Sequence, residues 1–261
     1  MPTLTFYAFT FYVRKRDFPM HPIPAQTLLA IWEQGWSQPP VWRALLLLTA
    51  VLPDYATEEL AALPVGRRDR HLLVLRQQLF GPALPGVATC PACGEALEFS
   101  FQVADVLVDE TETAVTELTS RGYTLQLRPP NSQDLLAAAQ LSDPDEAEQQ
   151  LLARCIVEAT RQGKAVNVKR LPATVRQAVE VRLAEIDPQA NVTINLNCPA
   201  CRHEWPLLFD ILNYLWQEID AWAWRTLYEV HQLAAAYGWR EADSLALSPW
   251  RRRQYLEMAY G

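Results

Sequence analysis

The tetrapeptide Cys-Pro-Ala-Cys occurs twice in this chain, once from Cys90 to Cys93 and again from Cys198 to Cys201. Two residues between cysteines let one tight turn aim both sulfurs at a single point. Two such turns supply the four thiolates of a tetrahedral Zn²⁺ site, with Zn–S bonds of about 2.3 Å. A four-thiolate set leaves no open coordination position, so the expected ion is structural, one per chain, and makes no hydroxide for catalysis. If both pairs hold the same ion, the chain must fold so that Cys90 and Cys201 meet, whatever the residues between them do.

Residues 94–197 separate the pairs, a far longer gap than in an ordinary zinc ribbon. The flanks nevertheless correspond. Leu97 matches Trp205 in position after its pair, Phe99 matches Leu207, and Phe101 matches Phe209. A short β-type stretch also precedes each pair. Residues 87–104 and 191–206 are therefore expected to be two halves of one split ribbon, with residues 105–190 inserted as an α/β segment. Gly94 suits such a knuckle because glycine enters the left-handed region freely, and Arg202 suits it less. The competing readings are a redox dithiol and free thiols. A redox pair usually sits at a helix N-terminus, whereas the residues after each pair here look extended. His203 is a candidate substitute ligand beside the four cysteines. Cys155, on a helical pattern, is expected in the core.

Around the ribbon the pattern is helical, giving an α+β, mostly helical fold. Residues 1–20 mix aromatic and β-branched residues and are expected to form an extended arm. The N-terminal helical region, residues 21–86, contains helices over Pro24 to Gln34, Val41 to Leu52, a short one capped by Thr57, and Gly66 to Phe80. Leu97 to Val103 and Tyr123 to Leu127 alternate as strands. Asp134 to Leu141 is a short helix. Asp143 is expected to cap a helix running to about Gln162, and Pro172 opens another that closes at Asp187. The C-terminal helical region, residues 207–261, reads as a long helix from Leu207 to Tyr237, a short turn, and a last helix capped by Ser248.

The net charge of −7 and sequence pI near 5.2 give no overall excess of Lys and Arg, which disfavours nucleic acid as a partner. The longest apolar run, Ala44 to Leu52, is too short to span a bilayer, and the first residues carry their basic group after the apolar stretch, the reverse of a secretory signal. A cytoplasmic protein without a membrane span is expected. None of His21, His71, His203 and His231 lies in a recognisable catalytic motif, and no phosphate-cradling loop or nucleophile elbow occurs, so no enzymatic activity is expected.

Nine Trp and nine Tyr leave aromatic surface to spare for contacts with other proteins. The candidate partner residues are Arg67, Arg68 and Arg70, Trp224 and Tyr228, and Trp250 with Arg251, Arg252 and Arg253. Both arginine clusters open helices, where positive charge is unfavourable against the dipole and calls for a counter-charge. A solvated or internally paired face is the alternative. On the long helix, the first half is assigned to the core and part of the second to a partner surface.

Three stretches together, LPVGRRDRHLLVLRQQLFGP, CPACGEALEF and YGWREADSLALSPWRRRQYLEM, resemble the zinc-ribbon baseplate proteins encoded with phage-like contractile injection systems. These are related to the T-even-phage family of baseplate hub and assembly proteins. The resemblance covers about residues 22–261, and its most specific part is the C-terminal GW-x-E…LSPWRRR-x-Y pattern. It implies a non-enzymatic structural or assembly component of a baseplate, with other baseplate or tail proteins as partners and Cys90, Cys93, Cys198 and Cys201 as the paired zinc ligands. The rival classes are a zinc-ribbon adaptor on nucleic acid or a transcription complex, and an enzyme of unfamiliar site pattern.

Overall fold

Two apolar cores organise the chain in the computed structural model, which describes residues 20–108 and 115–261. The expected arm over residues 1–20 lies outside the described residues, except for Met20, which packs against the larger core.

The larger core is helical. Helices α1 (Ala25–Gly35), α2 (Pro40–Val51), α3 (Thr57–Ala62) and α4 (Val65–Phe80) come from the N-terminal region, and α9 (Ile211–Tyr237) crosses them from the other end of the chain. The nearly continuous apolar run of α2 puts Ala44, Leu45, Leu47, Leu48 and Val51 out of water. A helix of this kind is stable only when covered on most sides. From α9, Ile211, Leu215, Ile219 and Ala223 fill the same core. Asp210 caps α9, accepting hydrogen bonds from the N–H groups of Leu212 (2.9 Å) and Asn213 (3.2 Å). At the far end Gly238 closes it with a left-handed φ of 67°.

Polar groups also cross this core. The Arg76 guanidinium, on α4, forks onto the Glu218 carboxylate of α9 at 2.6 and 2.8 Å and donates to the Gly81 carbonyl at 2.7 Å. Buried this way, an arginine is satisfied on several sides, which is the condition for its burial.

The smaller core belongs to the middle of the chain. Strands β3 (Thr116–Ser120), β4 (Tyr123–Leu127), β5 (Ile156–Arg161) and β6 (Lys164–Ala165) form one antiparallel sheet in that order. It is backed by α7 (Pro144–Cys155) and α8 (Ala173–Ile186), with α6 (Ser132–Ala138) at its side. Leu125, Leu127, Leu152, Ile156, Val175 and Val179 meet inside. The segment is tied back to the helical body through its polar ends. The Gly66 N–H donates to Asp187 Oδ2 at 2.9 Å, and the Gln189 amide bridges the Val106 carbonyl and the Val108 N–H. A side chain at Gly66 would collide with Asp187, so that approach requires glycine.

Several elements depart from the sequence expectation. The helix opened by Asp143 stops at Cys155, and the residues expected to continue it are β5. Ile156 and Thr160 are β-branched and pair with Leu127 and Thr124 of β4, with Val157 passed over at a bulge, while Gln162 and Gly163, both with positive φ, make a two-residue hairpin turn into β6. The long helix begins at Ile211, not Leu207, because residues 204–208 are a strand and Asp210 takes the cap. Val103 leaves the strand pattern and opens the short helix α5 (Val103–Val106). Thr57 is the first helical residue of α3 and Ala56 holds the cap position, where its N–H donates to Glu59 at 2.9 Å.

The C-terminal helices α10 (Glu241–Ala246) and α11 (Pro249–Tyr260) pack along α9. Ser248 caps α11 with its hydroxyl, as its position before Pro249 predicts.

Candidate metal centre

Each Cys-Pro-Ala-Cys turn sits at the tip of a two-stranded antiparallel hairpin. The first is β1 (Ala83–Thr89) with β2 (Ala96–Gln102), and the second is β7 (Thr193–Asn197) with β8 (Glu204–Leu208). The pairing register is the same in both: Ala88 faces Leu97 as Leu196 faces Trp205, and Thr89 faces Ala96 as Asn197 faces Glu204. The turn hydrogen bonds repeat as well. Cys90 N–H donates to the Glu95 carbonyl at 2.8 Å and Gly94 N–H to the Cys90 carbonyl at 2.9 Å; Cys198 N–H donates to His203 at 2.9 Å and Arg202 N–H to Cys198 at 2.8 Å. The fourth bend residue is left-handed in both turns, Gly94 at φ 78° and Arg202 at φ 60°. Glycine adopts this conformation freely and arginine under strain.

The two tips face each other. Cys90 Sγ lies 3.7 Å from Cys201 Sγ, and Cys93 Sγ lies 3.6 Å from Cys198 Sγ. All four sulfurs fall within 4.8 Å of one another. Four sulfurs held at a Zn–S distance of about 2.3 Å in a tetrahedron stand roughly 3.8 Å apart, so the observed cluster has the size of a single-ion site. A disulfide, at about 2.05 Å, is far shorter. In each turn the first cysteine is buried and the second exposed, which puts the cluster at the rim of the fold. Below the sulfurs, the matched residues Phe101 and Phe209 meet edge to face with ring centroids 5.2 Å apart.

The thiols of the cluster are pulled in opposite directions. The Cys201 N–H pointing at Cys198 Sγ brings that thiol down to about 7, with the Ala200 N–H acting in the same direction. The Glu95 N–H pulls on Cys93 too, but hydrogen bonds with the other sulfurs outweigh it and push that thiol up to about 12. Crowded sulfurs resist ionising together, whereas a divalent cation among them deprotonates a coordinating thiol outright. Four tetrahedral sulfurs suit zinc or iron.

His203 is exposed, stacks on Trp205 and is not part of the cluster. Cys155 is buried at the end of α7, and burial pushes its thiol up to about 12.

Two of the expected partner arginines are interior residues. Arg68 is 3% exposed, donating to Asp69 at 2.8 Å and to the Ser132 hydroxyl at 3.3 Å. Arg252 is 2% exposed, donating to Glu229 at 2.8 Å and to the Leu247 carbonyl at 2.9 Å. Each has the counter-charge that a basic first turn calls for, supplied from within the fold, and neither is open to a partner. Arg70 is half-buried and donates to the Val108 carbonyl at 2.8 Å; Arg67 is half-buried. Arg251 and Arg253 are exposed, as are Trp224 (56%), Tyr228 (62%) and Trp250 (69%). Trp224 joins Trp32 and Trp36 in a group of edge-to-face rings that sequence reading did not assemble, although Trp32 and Trp36 stand one helical turn apart. Among the described residues no helix is long and apolar enough to cross a membrane.

Against known families, residues 45–216 match the one described as T4 bacteriophage base plate protein. The match spans more than half of the chain and contains both cysteine pairs, and it ends before the Trp-Arg-rich C-terminal pattern. No curated protein and no solved structure matches the chain.

Proposed function

The chain belongs to the T4 bacteriophage base plate protein family, and from that premise we propose that it is a structural or assembly component of the baseplate of a phage tail-like contractile injection system. The observation that carries this reading is the family match across residues 45–216. In this reading the protein is not an enzyme. It works in the cytoplasm, where the particle is assembled, and it contacts other baseplate or tail proteins.

The metal is proposed to be one structural Zn²⁺ per chain, held by Cys90, Cys93, Cys198 and Cys201. The all-sulfur donor set and the size of the cluster support zinc. Zinc would join residues 87–104 and 191–206 into one split ribbon, leaving residues 105–190 as an insert anchored at both ends. The partner surface is proposed to run over Trp224 and Tyr228 and over Trp250, Arg251 and Arg253. Exposed Trp, Tyr and Arg are the residues most often found at the energetic centres of interfaces.

The test is deletion of the gene followed by electron microscopy of particles from the same cells. Particles with missing or malformed baseplates, restored by the intact gene, are expected. Full-length, sheathed, active particles with an unaltered baseplate would contradict the proposal.

A further inference from the structure

A groove opens on the insert, away from the cysteine cluster, between α7, the turn Val168–Arg170 and α8. Its volume is roughly 540 Å³, within the range of about 300–1,000 Å³ that recognition pockets occupy. The lining reaches the smaller core at Leu152, Ile156, Leu171 and Val179, all buried, and the half-buried Leu141, Ala153 and Val168 supply its accessible apolar surface. The rim is cationic. Arg154, Lys169 and Arg176 stand around it against one carboxylate, Glu146, in a chain whose net charge is −7.

Part of that positive charge is uncommitted. Arg154 is held by Asp134 at 2.7 Å. Arg176 spends one N–H on the Leu171 carbonyl at 3.2 Å and keeps the others, and Lys169 is exposed. An apolar floor between two helices with a cationic rim is the complement of an amphipathic segment bearing carboxylates beside its apolar side chains. Charge of opposite sign at the rim selects and steers such a segment, while the floor supplies the desolvated contact.

We propose that this groove binds an acidic, amphipathic helical segment of a neighbouring protein, inserting apolar side chains over Leu141, Ala153 and Val168 and setting its carboxylates against Lys169 and Arg176. The inference rests on the reading of the chain as a component that contacts other proteins. It is tested on the purified protein, so it can fail while the particle role stands, and the particle role can fail while it stands.

The experiment is fluorescence anisotropy with full-length, metal-loaded protein and a short labelled helical peptide carrying two leucines one turn apart between glutamates. A second peptide has lysines in place of the glutamates. The acidic peptide should bind, and the basic one should not. Lys169→Glu should weaken the acidic peptide about fivefold and raise the affinity for the basic one, an effect the size of a surface charge pair. Gln149→Trp, which fills the groove from α7 without touching the rim charge, should abolish binding with the thermal melt unchanged. Absence of binding, equal binding of the two peptides, or binding indifferent to both substitutions would overturn the proposal. So would displacement of the peptide by single-stranded DNA but not by unlabelled acidic peptide, which would mark the rim as a phosphate site.

Discussion

The two hairpins that carry the cysteines and the segment that lies between them in sequence differ in what their residues bury. Along β1, β2, β7 and β8 the residues alternate between half-buried and exposed, and only Leu84 and Leu196 are fully buried. A two-stranded hairpin with so little apolar burial is marginal in water. What the hairpins do have is four converging sulfurs. The segment between them has the reverse: among the described residues, eight buried apolar side chains form a core of their own, and its cysteine, Cys155, is not part of the sulfur cluster. With zinc on the cluster, the dependence on metal is expected to fall on the hairpins. Closing a loop of about a hundred residues costs on the order of 4–5 kcal/mol, whereas a structural zinc site contributes about 10–16 kcal/mol at neutral pH. A zinc ion on the four sulfurs would therefore outweigh the cost of closing that loop, whereas the segment between the pairs has apolar packing of its own.

The sharpest way to break this contrast is to remove the metal. Cys90→Ser with Cys198→Ser, or a strong chelator, should abolish amide protection across residues 83–102 and 193–208 in hydrogen exchange. Strands β4 and β5 and helix α8 should keep most of theirs. Equal loss in both regions would mean that the insert depends on the ion as well.

The converse lesion is Leu125→Ala. Leu125 is fully buried between β4 and the insert helices, so its truncation should cost about 2–5 kcal/mol, measured by urea denaturation. The metal content should stay at that of the unmodified protein. A loss of metal together with the insert's stability would tie the two regions more closely than their separate cores suggest.

The polar seam between the regions gives a pH signature. Burial pushes the Asp69 carboxyl up to about 6 against the pull of Arg68, and Asp210 and Asp187 add to the rise. The folded state then binds a proton that the unfolded chain does not, so the contribution of Asp69 to stability should increase as pH falls from neutral through 6, by on the order of 2 kcal/mol, read as the difference between the unmodified protein and the Asp69 variant. Asp69→Asn should flatten that slope in thermal melts. Asp134 has the other sign. Burial works against its carboxylate, but hydrogen bonds from Arg128, Arg154 and the Asn131 N–H win and hold its pKa below the ordinary value. Its contribution is present above the ordinary carboxylate range and is lost as pH falls through the lower folded value, which Asp134→Asn should abolish.

The smallest effect compares the two knuckles with each other. Arg202 holds at φ 60° the place that Gly94 holds at φ 78°. Arg202→Gly should stabilise the metal-bound protein by roughly 1 kcal/mol, and Gly94→Ala should destabilise it by a similar amount, read as opposite shifts in melting temperature.

The cysteine cluster was legible because its signal is local and repeated: two identical turns with flanks in the same register, down to the Phe101–Phe209 contact. Helices with strong caps were legible too, as at Ser248 and Gly238. Residues 156–161 were not, since Ile156 to Arg161 follow a well-capped helix without a break and become a strand only because β4 offers a partner. Arg68 and Arg252 look like surface charge in sequence. Their carboxylate partners are respectively adjacent, where a chain reading cannot tell a buried pair from a solvated one, and on another helix. The Trp32, Trp36 and Trp224 group brings together residues from opposite ends of the chain, and nothing in the intervening sequence marks that meeting.

The central claim is that four sulfurs from two distant turns share one zinc. Zinc-edge X-ray absorption on protein purified without added metal tests it most directly, with metal content measured on the same sample. One zinc per chain with four sulfur neighbours at about 2.3 Å is expected. A shell containing nitrogen or oxygen, or zinc retained undiminished by the Cys90→Ser, Cys198→Ser double variant, would contradict it.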